Sequence, residues 1–165
     1  MKILVVGSGA REHAICWKIK QSSKVSEIYC APGNAGIAQI AQCVNIKAES
    51  LDELVDFSIS NNVELVVIGP EGPLVGGLAD MLTEKNIKVF GPHKNGAKLE
   101  GSKSYSKYFM EKYNIPTAAY ENFDDPQKAL EYLKTAKMPI VLKADGLALG
   151  KGVLICNTLE EAEAG

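Results

Sequence analysis

The chain predicts an α/β fold built on a doubly wound parallel sheet, and three observations carry that expectation. Short apolar runs of strand-forming residues alternate with helical patterns through its first half. All but the third of these runs stop in a loop containing glycine or proline. The run Leu65–Ile68 is apolar at every position, as a central parallel strand covered on both faces should be.

The opening stretch, MKILVVGSGAREHA, sets the pattern. Ile3-Leu4-Val5-Val6 reads as a strand that stops at Gly7-Ser8-Gly9, where a helical pattern begins at once. Glycines let backbone approach a ligand, and the exposed N–H groups of a helix start suit an anion, which makes Gly9 and Arg11 candidates. Arg11 sits where the helix dipole opposes its charge; a bound anion explains that, and so does a solvated arginine beside a tight turn. The first helix is expected to end near Ser22-Ser23, with Ala14, Ile15 and Ile19 facing inward.

A second strand, Glu27–Cys30, stops at Ala31-Pro32-Gly33-Asn34-Ala35-Gly36, a loop expected beside the first glycine turn. Val44–Ile46 reads as a short third strand. Ser50-Leu51-Asp52-Glu53 has the form of a capping box, opening a helix towards Asn61 with Leu51, Leu54, Val55 and Ile59 inward. After Leu65–Ile68 come the loop Gly69–Leu74 and a helix to about Asn86, then a fifth strand, Lys88–Phe90, stopped by Gly91-Pro92. In this architecture the loops share one rim of the sheet, where ligands bind. Glu71 is expected to point its carboxylate into that rim, able to accept from sugar hydroxyls; a first-turn acid for the following helix is the equal alternative.

Around Lys94–Gly101 the alternation pauses. A helix is expected over Ser102–Tyr113 and a strand at Ala119–Phe123. Asp125-Pro126, an N-cap followed by proline at the first helical position, opens a helix to about Thr135. Pro139–Ala144 and Gly152–Cys156 read as an antiparallel hairpin joined by a glycine-containing loop. An acidic, alanine-rich helix follows, so the second domain is expected to be unfinished at Gly165.

Composition narrows the function classes. A chain of 165 residues can bury a core and has room for one domain or one and a half. With 46% hydrophobic and 23% charged residues and a net charge of −2, it has the profile of a soluble globular protein, without the basic stripe that nucleic acid requires. Cys16, Cys30, Cys43 and Cys156 form no C-x-x-C pair and read as reduced core cysteines of a cytoplasmic protein. The N-terminal apolar run is too short for a signal peptide and no stretch approaches a membrane span. No metal-ligand spacing and no Ser/His/Asp or Cys/His arrangement appears, so no metal ligand and no catalytic residue is assigned; His13 and His93 read as structural.

A nicotinamide enzyme is disfavoured, because Glu12 stands where the third glycine of the dinucleotide turn belongs and Cys30–Gly33 holds no acid for ribose. Lys143, within an apolar strand, reads either as the ion-pair partner of Asp145 or as a phosphate contact beside the Gly146–Gly152 loop. That loop is no P-loop, since its glycines are too close and Val153 is no magnesium ligand. Lys103 and Lys107, one helical turn apart, read as a solvated face.

Seven stretches in order resemble the phosphoribosylamine–glycine ligase family (glycinamide ribonucleotide synthetases) of ATP-grasp enzymes. They are GSGAREHA at 7–14, PGNAG at 32–36, GPEGPLVGG at 69–77, GP at 91–92, LEGSKSYSK at 99–107, NIPTA at 114–118 and KADGLALGKGV at 143–153. Ala10 and Leu149 depart from the usual glycine and alanine. The resemblance implies ATP-dependent joining of 5-phosphoribosylamine and glycine to glycinamide ribonucleotide through glycyl phosphate, in purine biosynthesis. It implies a Rossmann-like domain at 1–92, a linker and helix at 93–118 and the first part of an ATP-grasp domain at 119–165.

By the same resemblance Gly9, Arg11, Gly33, Asn34, Gly36 and Glu71 meet phosphoribosylamine, while Lys103, Lys143, Gly146, Gly150, Lys151 and Gly152 meet ATP. Lys107 is a weaker candidate. Magnesium would bridge the ATP phosphates on ligands expected after residue 165, and the chain is expected to be an N-terminal piece, inactive alone. Two rivals stand beside it. A complete nicotinamide-binding protein would bind NADH saturably, and a non-catalytic sugar-phosphate module would have a reading frame that ends after Gly165.

Overall fold

The computed structural model describes residues 1–148 and 151–165, in two compact units, Met1–Gly101 and Ser102–Gly165. The first is the doubly wound sheet. Its strands are β1 (Lys2–Gly7), β2 (Glu27–Pro32), β3 (Gln42–Cys43), β4 (Leu65–Ile68) and β5 (Lys88–Phe90). They run parallel in the order β3-β2-β1-β4-β5. The helices are α1 (Ala10–Lys20), α2 (Leu51–Ser60), α3 (Glu71–Gly76), α4 (Leu78–Glu84) and α5 (Lys94–Gly101).

Alternation along β1 divides the core into two layers, as a period of two residues requires. Leu4 and Val6 pack with Tyr29, Ala31, Leu54, Leu78 and Leu82 on one face. Ile3 and Val5 pack with Cys16, Ile28, Cys30, Ile37 and Val67 on the other. Each leucine, isoleucine and valine among these contributes about 1.5–3 kcal/mol by leaving water, so the central strands are the rigid base on which the rim loops stand.

Several local expectations are corrected. The third strand is Gln42–Cys43, paired with Tyr29 and Cys30; Val44 N–H still donates to Cys30 O at 2.9 Å, but Ile46 N–H turns back to Val44 O at 2.8 Å, which ends the strand there. Ser50 does precede α2, but its hydroxyl makes no capping bond, because its backbone (φ −81, ψ 70) leaves the extended conformation that aims a cap. On the same helix the inward face is Leu54, Val55 and Ser58, whose hydroxyl donates to Leu54 O at 2.7 Å, while Ile59 is 48% exposed.

The helix expected to run to Asn86 is two helices, broken at Gly77 in the left-handed region (φ 98). The expected loop before it shrinks to Gly69-Pro70, so Glu71 opens α3. The pause at 94–101 is α5; its first amide, Lys94 N–H, donates to Asp80 Oδ2 at 2.8 Å, a bond from fourteen residues away that no local pattern announces. His93 sits beside it, Nδ1 at 3.4 Å from Asp80 Oδ1. Lys94 N–H, followed by His93, holds the Asp80 carboxyl below its ordinary range.

The second unit contains α6 (Lys103–Lys112), α7 (Pro126–Leu133), α8 (Leu159–Ala164) and the hairpin β6 (Ile140–Lys143) with β7 (Val153–Cys156). The hairpin is antiparallel as expected. Leu133, Cys156 and Ala162 are its buried centre, with Leu130, Met138, Ile140, Leu142 and Leu159 packed around them. Asp125 caps α7 by accepting from Gln127 N–H at 2.8 Å. Ala119–Phe123 is not a strand: it pairs with no strand among the described residues, and all of it except Tyr120 is exposed. No helix among the described residues is long and apolar enough to cross a membrane.

Candidate functional site

In the first unit the sheet register sets three strand ends side by side: Gly7 opposite Pro32, and Val6 between Ala31 and Ile68. The ladder continues past the strands, since Gly33 N–H donates to Gly7 O and Gly69 N–H to Val6 O, both at 3.1 Å. The glycine turn, the 32–36 loop and the start of α3 are thereby held to one rim. On that rim the strand order reverses, β1 lying between β2 and β4, the place where open α/β sheets bind ligands.

Glu12 organises the turn, and sequence reasoning missed it by treating it only as a missing glycine. Its side chain is 3% exposed. Oε2 accepts from Gly9 N–H at 2.6 Å, the returning half of a capping box. A Cβ at Gly7 or at Gly69 would lie 2.7 Å from Glu12 Cδ, and one at Gly9 would lie 2.9 Å from Oε2. The carboxylate therefore occupies the space that side chains at these positions would need. Oε1 is buried with no hydrogen-bond partner among the described residues. The signal available in sequence was Gly9-x-x-Glu12 at a helix start.

Arg11 and Glu71, separated by sixty residues, meet across the rim: both terminal guanidinium nitrogens, Nη1 and Nη2, lie 3.5 Å from Glu71 Oε1. The arginine side chain is 67% exposed and the glutamate 39%, so the pair is worth little as a fold-stabilising ion pair and is available to a ligand. Asn34 is the bolt of its loop. Its Nδ2 donates to Ser8 O at 2.8 Å, while Oδ1 accepts from Gly36 and Ile37 N–H, both at 2.9 Å; one amide hydrogen is left for a ligand. Gly33 has φ +72. The His13 ring lies against Gly36, where a Cβ would come within 2.9 Å of Cε1, in keeping with a structural histidine.

The cysteines divide. Cys16 and Cys30 are buried, but Cys43 is exposed, correcting the expectation that all four lie in the core. Cys43 Sγ lies behind the loop, 3.6 Å from Asn34 O. The Cys30 thiol is pushed up by its hydrogen bond with Cys16 and by burial, and the same bond draws Cys16 down.

In the second unit the first turn of α6 and the segment after β6 are joined by one carboxylate. Asp145 accepts from Lys103 N–H at 2.6 Å, Ser104 N–H at 3.2 Å, Ser104 Oγ at 2.6 Å and Ser102 Oγ at 3.1 Å. The Ser104 hydroxyl leads these bonds in holding the Asp145 carboxyl well below the ordinary carboxylate range. Ser102 also caps the helix, accepting from Tyr105 N–H at 3.1 Å. Lys103 Nζ donates to Gly146 O at 2.7 Å.

Of the two readings of Lys143, the ion pair with Asp145 is not made. Asp145 turns to α6 instead, and Lys143 ends β6 on its exposed face. Lys107 is engaged elsewhere, donating to Thr117 Oγ1 at 2.7 Å and Ala118 O at 2.9 Å, with its ammonium over the Tyr120 ring. Gly146 lies at φ +84 in open space, and Gly152 is packed between Ala144 and Ala148. Lys151 N–H donates to Ala148 O at 2.8 Å. Gly150 lies outside the described residues.

Comparison with known proteins agrees along the whole chain. Residues 1–100 match the phosphoribosylglycinamide synthetase N domain, and residues 101–165 match the ATP-grasp (A) domain of the same synthetase. A phosphoribosylamine–glycine ligase of Clostridium acetobutylicum is 55% identical over 163 residues, 99% of this chain and 39% of that protein. One from Pseudomonas aeruginosa is 48% identical over 166 residues, again 99% of this chain and 38% of the relative. The crystal structure of a phosphoribosylamine–glycine ligase from Thermotoga maritima superposes with a TM-score of 0.78 at 36% identity, covering 99% of this chain and 38% of that one. An N5-carboxyaminoimidazole ribonucleotide synthetase from the same organism shares the fold, with a TM-score of 0.77 at 18% identity and coverage of 99% and 43%. The chain thus spans about two-fifths of the length of these relatives.

Proposed function

We propose, from the premise that the chain belongs to the phosphoribosylglycinamide synthetase family, that it supplies the N-terminal part of an ATP-dependent ligase joining 5-phosphoribosylamine to glycine. In this reading ATP phosphorylates the glycine carboxylate, and the sugar amine then displaces phosphate from glycyl phosphate. Glycinamide ribonucleotide, ADP and phosphate result.

The observation that carries the reading is the convergence of the glycine turn, the 32–36 loop and the Arg11–Glu71 pair on one rim of the first unit. Unpaired first-turn amides of α1, with the guanidinium of Arg11, suit a sugar phosphate. Gly9, Gly33, Asn34 and Gly36 let backbone approach it, and Glu71 accepts from ribose hydroxyls. In the second unit Lys103 and Lys143 oppose the charge of the triphosphate, with Gly146, Lys151 and Gly152 as further contacts to it. Among the described residues no group of three or more His, Cys, Asp or Glu is placed to hold a metal ion. The whole reading is that of a cytoplasmic enzyme acting on small molecules.

The test is calorimetric titration of ribose 5-phosphate, a stable mimic of the sugar substrate. Arg11→Ala and Glu71→Ala are each expected to weaken binding about tenfold, about 1.4 kcal/mol. Affinity unchanged in both variants would remove the sugar from this rim.

A further inference from the structure

We propose that Asp145 is a positioning residue that sets Lys103 and Lys143 relative to each other; the inference rests on reading these lysines as polyphosphate contacts. Lys103 opens α6 and Lys143 closes β6, and long lysine side chains on separate elements meet a common anion only if their backbones are held in register. Asp145 supplies that hold. Two residues after Lys143, it takes both first amides of α6 and the hydroxyls of Ser102 and Ser104. The Lys103 ammonium then reaches Gly146 O, on the residue that follows Asp145. Removing the carboxylate frees both attachment points while leaving each lysine intact.

The charge of Asp145 is compatible with a polyphosphate nearby. It is spent on four donors at the positive end of a helix, and charge-assisted bonds of this kind hold it in the ionised form. Gly146, at φ +84 with nothing near its Cα hydrogens, lets the chain turn away from β6 immediately after the anchor. Asp145 therefore acts through the lysines.

The experiment titrates the 165-residue chain with inorganic tripolyphosphate by calorimetry, comparing wild type, Asp145→Ala, Lys103→Met and the double variant. Amide hydrogen exchange at Lys103, Ser104 and, as a check on the fold of the unit, Ala162 accompanies it. Asp145→Ala is expected to weaken binding about tenfold or more and to speed exchange at Lys103 and Ser104 while Ala162 stays protected. The double variant is expected to bind no more weakly than Lys103→Met, the non-additivity of two residues acting as one. Wild-type affinity in Asp145→Ala, or losses that simply add, would overturn the positioning role and leave the lysine reading standing. No binding by wild type, at concentrations where Lys103→Met also shows none, would overturn the lysine reading and this inference with it. If Asp145→Ala loses protection at Ala162, the near-isosteric Asp145→Asn takes its place; binding equal to wild type in that variant overturns the proposal, and weakened binding with Ala162 protected supports it.

Discussion

Of the helices that start on a bound carboxylate, α1 and α6 take theirs from opposite distances. Glu12 belongs to α1 itself, three residues from the amide it accepts, and is 3% exposed with one oxygen unpartnered. Asp145 reaches α6 from more than forty residues away, is exposed, and uses both oxygens. A contact three residues long forms with the helix and costs almost no loop closure, so Glu12 is free to serve as a wedge that shapes the turn around it. A contact forty residues long closes a large loop, and Asp145 answers with several charge-assisted bonds instead of one. The buried carboxylate shapes; the exposed one connects.

The sharpest way to break this contrast is to fill the space beside Glu12. Gly69→Ala puts a methyl group onto the carboxylate and is expected to destabilise the first unit by about 2–3 kcal/mol in urea denaturation. Combining it with Glu12→Ala is expected to recover about 1 kcal/mol or more of that loss relative to additivity. A neutral Gly69→Ala would show that the carboxylate yields and sets nothing.

A smaller effect separates two serines that look alike in sequence. Ser102 makes its capping bond and Ser50 does not. Ser102→Ala is therefore expected to cost about 1 kcal/mol, more if its bond to Asp145 is counted, and Ser50→Ala about 0.3 kcal/mol or less, by denaturation of each variant. Equal losses would mean that the cap at Ser50 forms in solution.

The smallest effect at ordinary pH concerns Asp145 itself. Its folded-state pKa lies below the unfolded value of about 3.9, so the stability it contributes is fully present above that value and is lost only as pH falls through the depressed folded one. Between pH 5 and 8 the amide resonances of Lys103 and Ser104 are expected to stay fixed, and to move only well below pH 4 in an NMR titration. Movement centred near the ordinary carboxylate value would show that the bonds to α6 are not made.

Much of this was legible in the residues. The apolar runs at Ile3–Val6, Glu27–Cys30, Leu65–Ile68 and Lys88–Phe90 are strands of one parallel sheet, and the hairpin around Gly146–Gly152 is antiparallel, because periodicity and turn residues act over a few positions. The failures lie where a distant group decided. Val44–Ile46 had strand composition, yet β2 offered pairing to Gln42–Cys43 instead. The sequence at Lys94–Gly101 looked like a pause until Asp80, fourteen residues back, supplied the bond that starts α5. Ala119–Phe123 had strand-like residues and pairs with no strand among the described residues. Of the candidate site residues, the glycines were readable from the turns they make, whereas the meeting of Arg11 with Glu71 was not.

By itself the sequence determined four of the sheet's five strands, the antiparallel hairpin, the glycine turns and, through seven stretches in register, the family. Those are matters of local propensity and pattern, written within about a dozen residues of where they act. Only the tertiary structure decided that β1 stands between β2 and β4, that Arg11 lies against Glu71, that Glu12 fills the space of three absent side chains, and that Asp145 abandons Lys143 for α6. Each of these is a competition among groups far apart in sequence for one hydrogen bond or one small volume. Packing settles such competitions, and no local pattern records the winner.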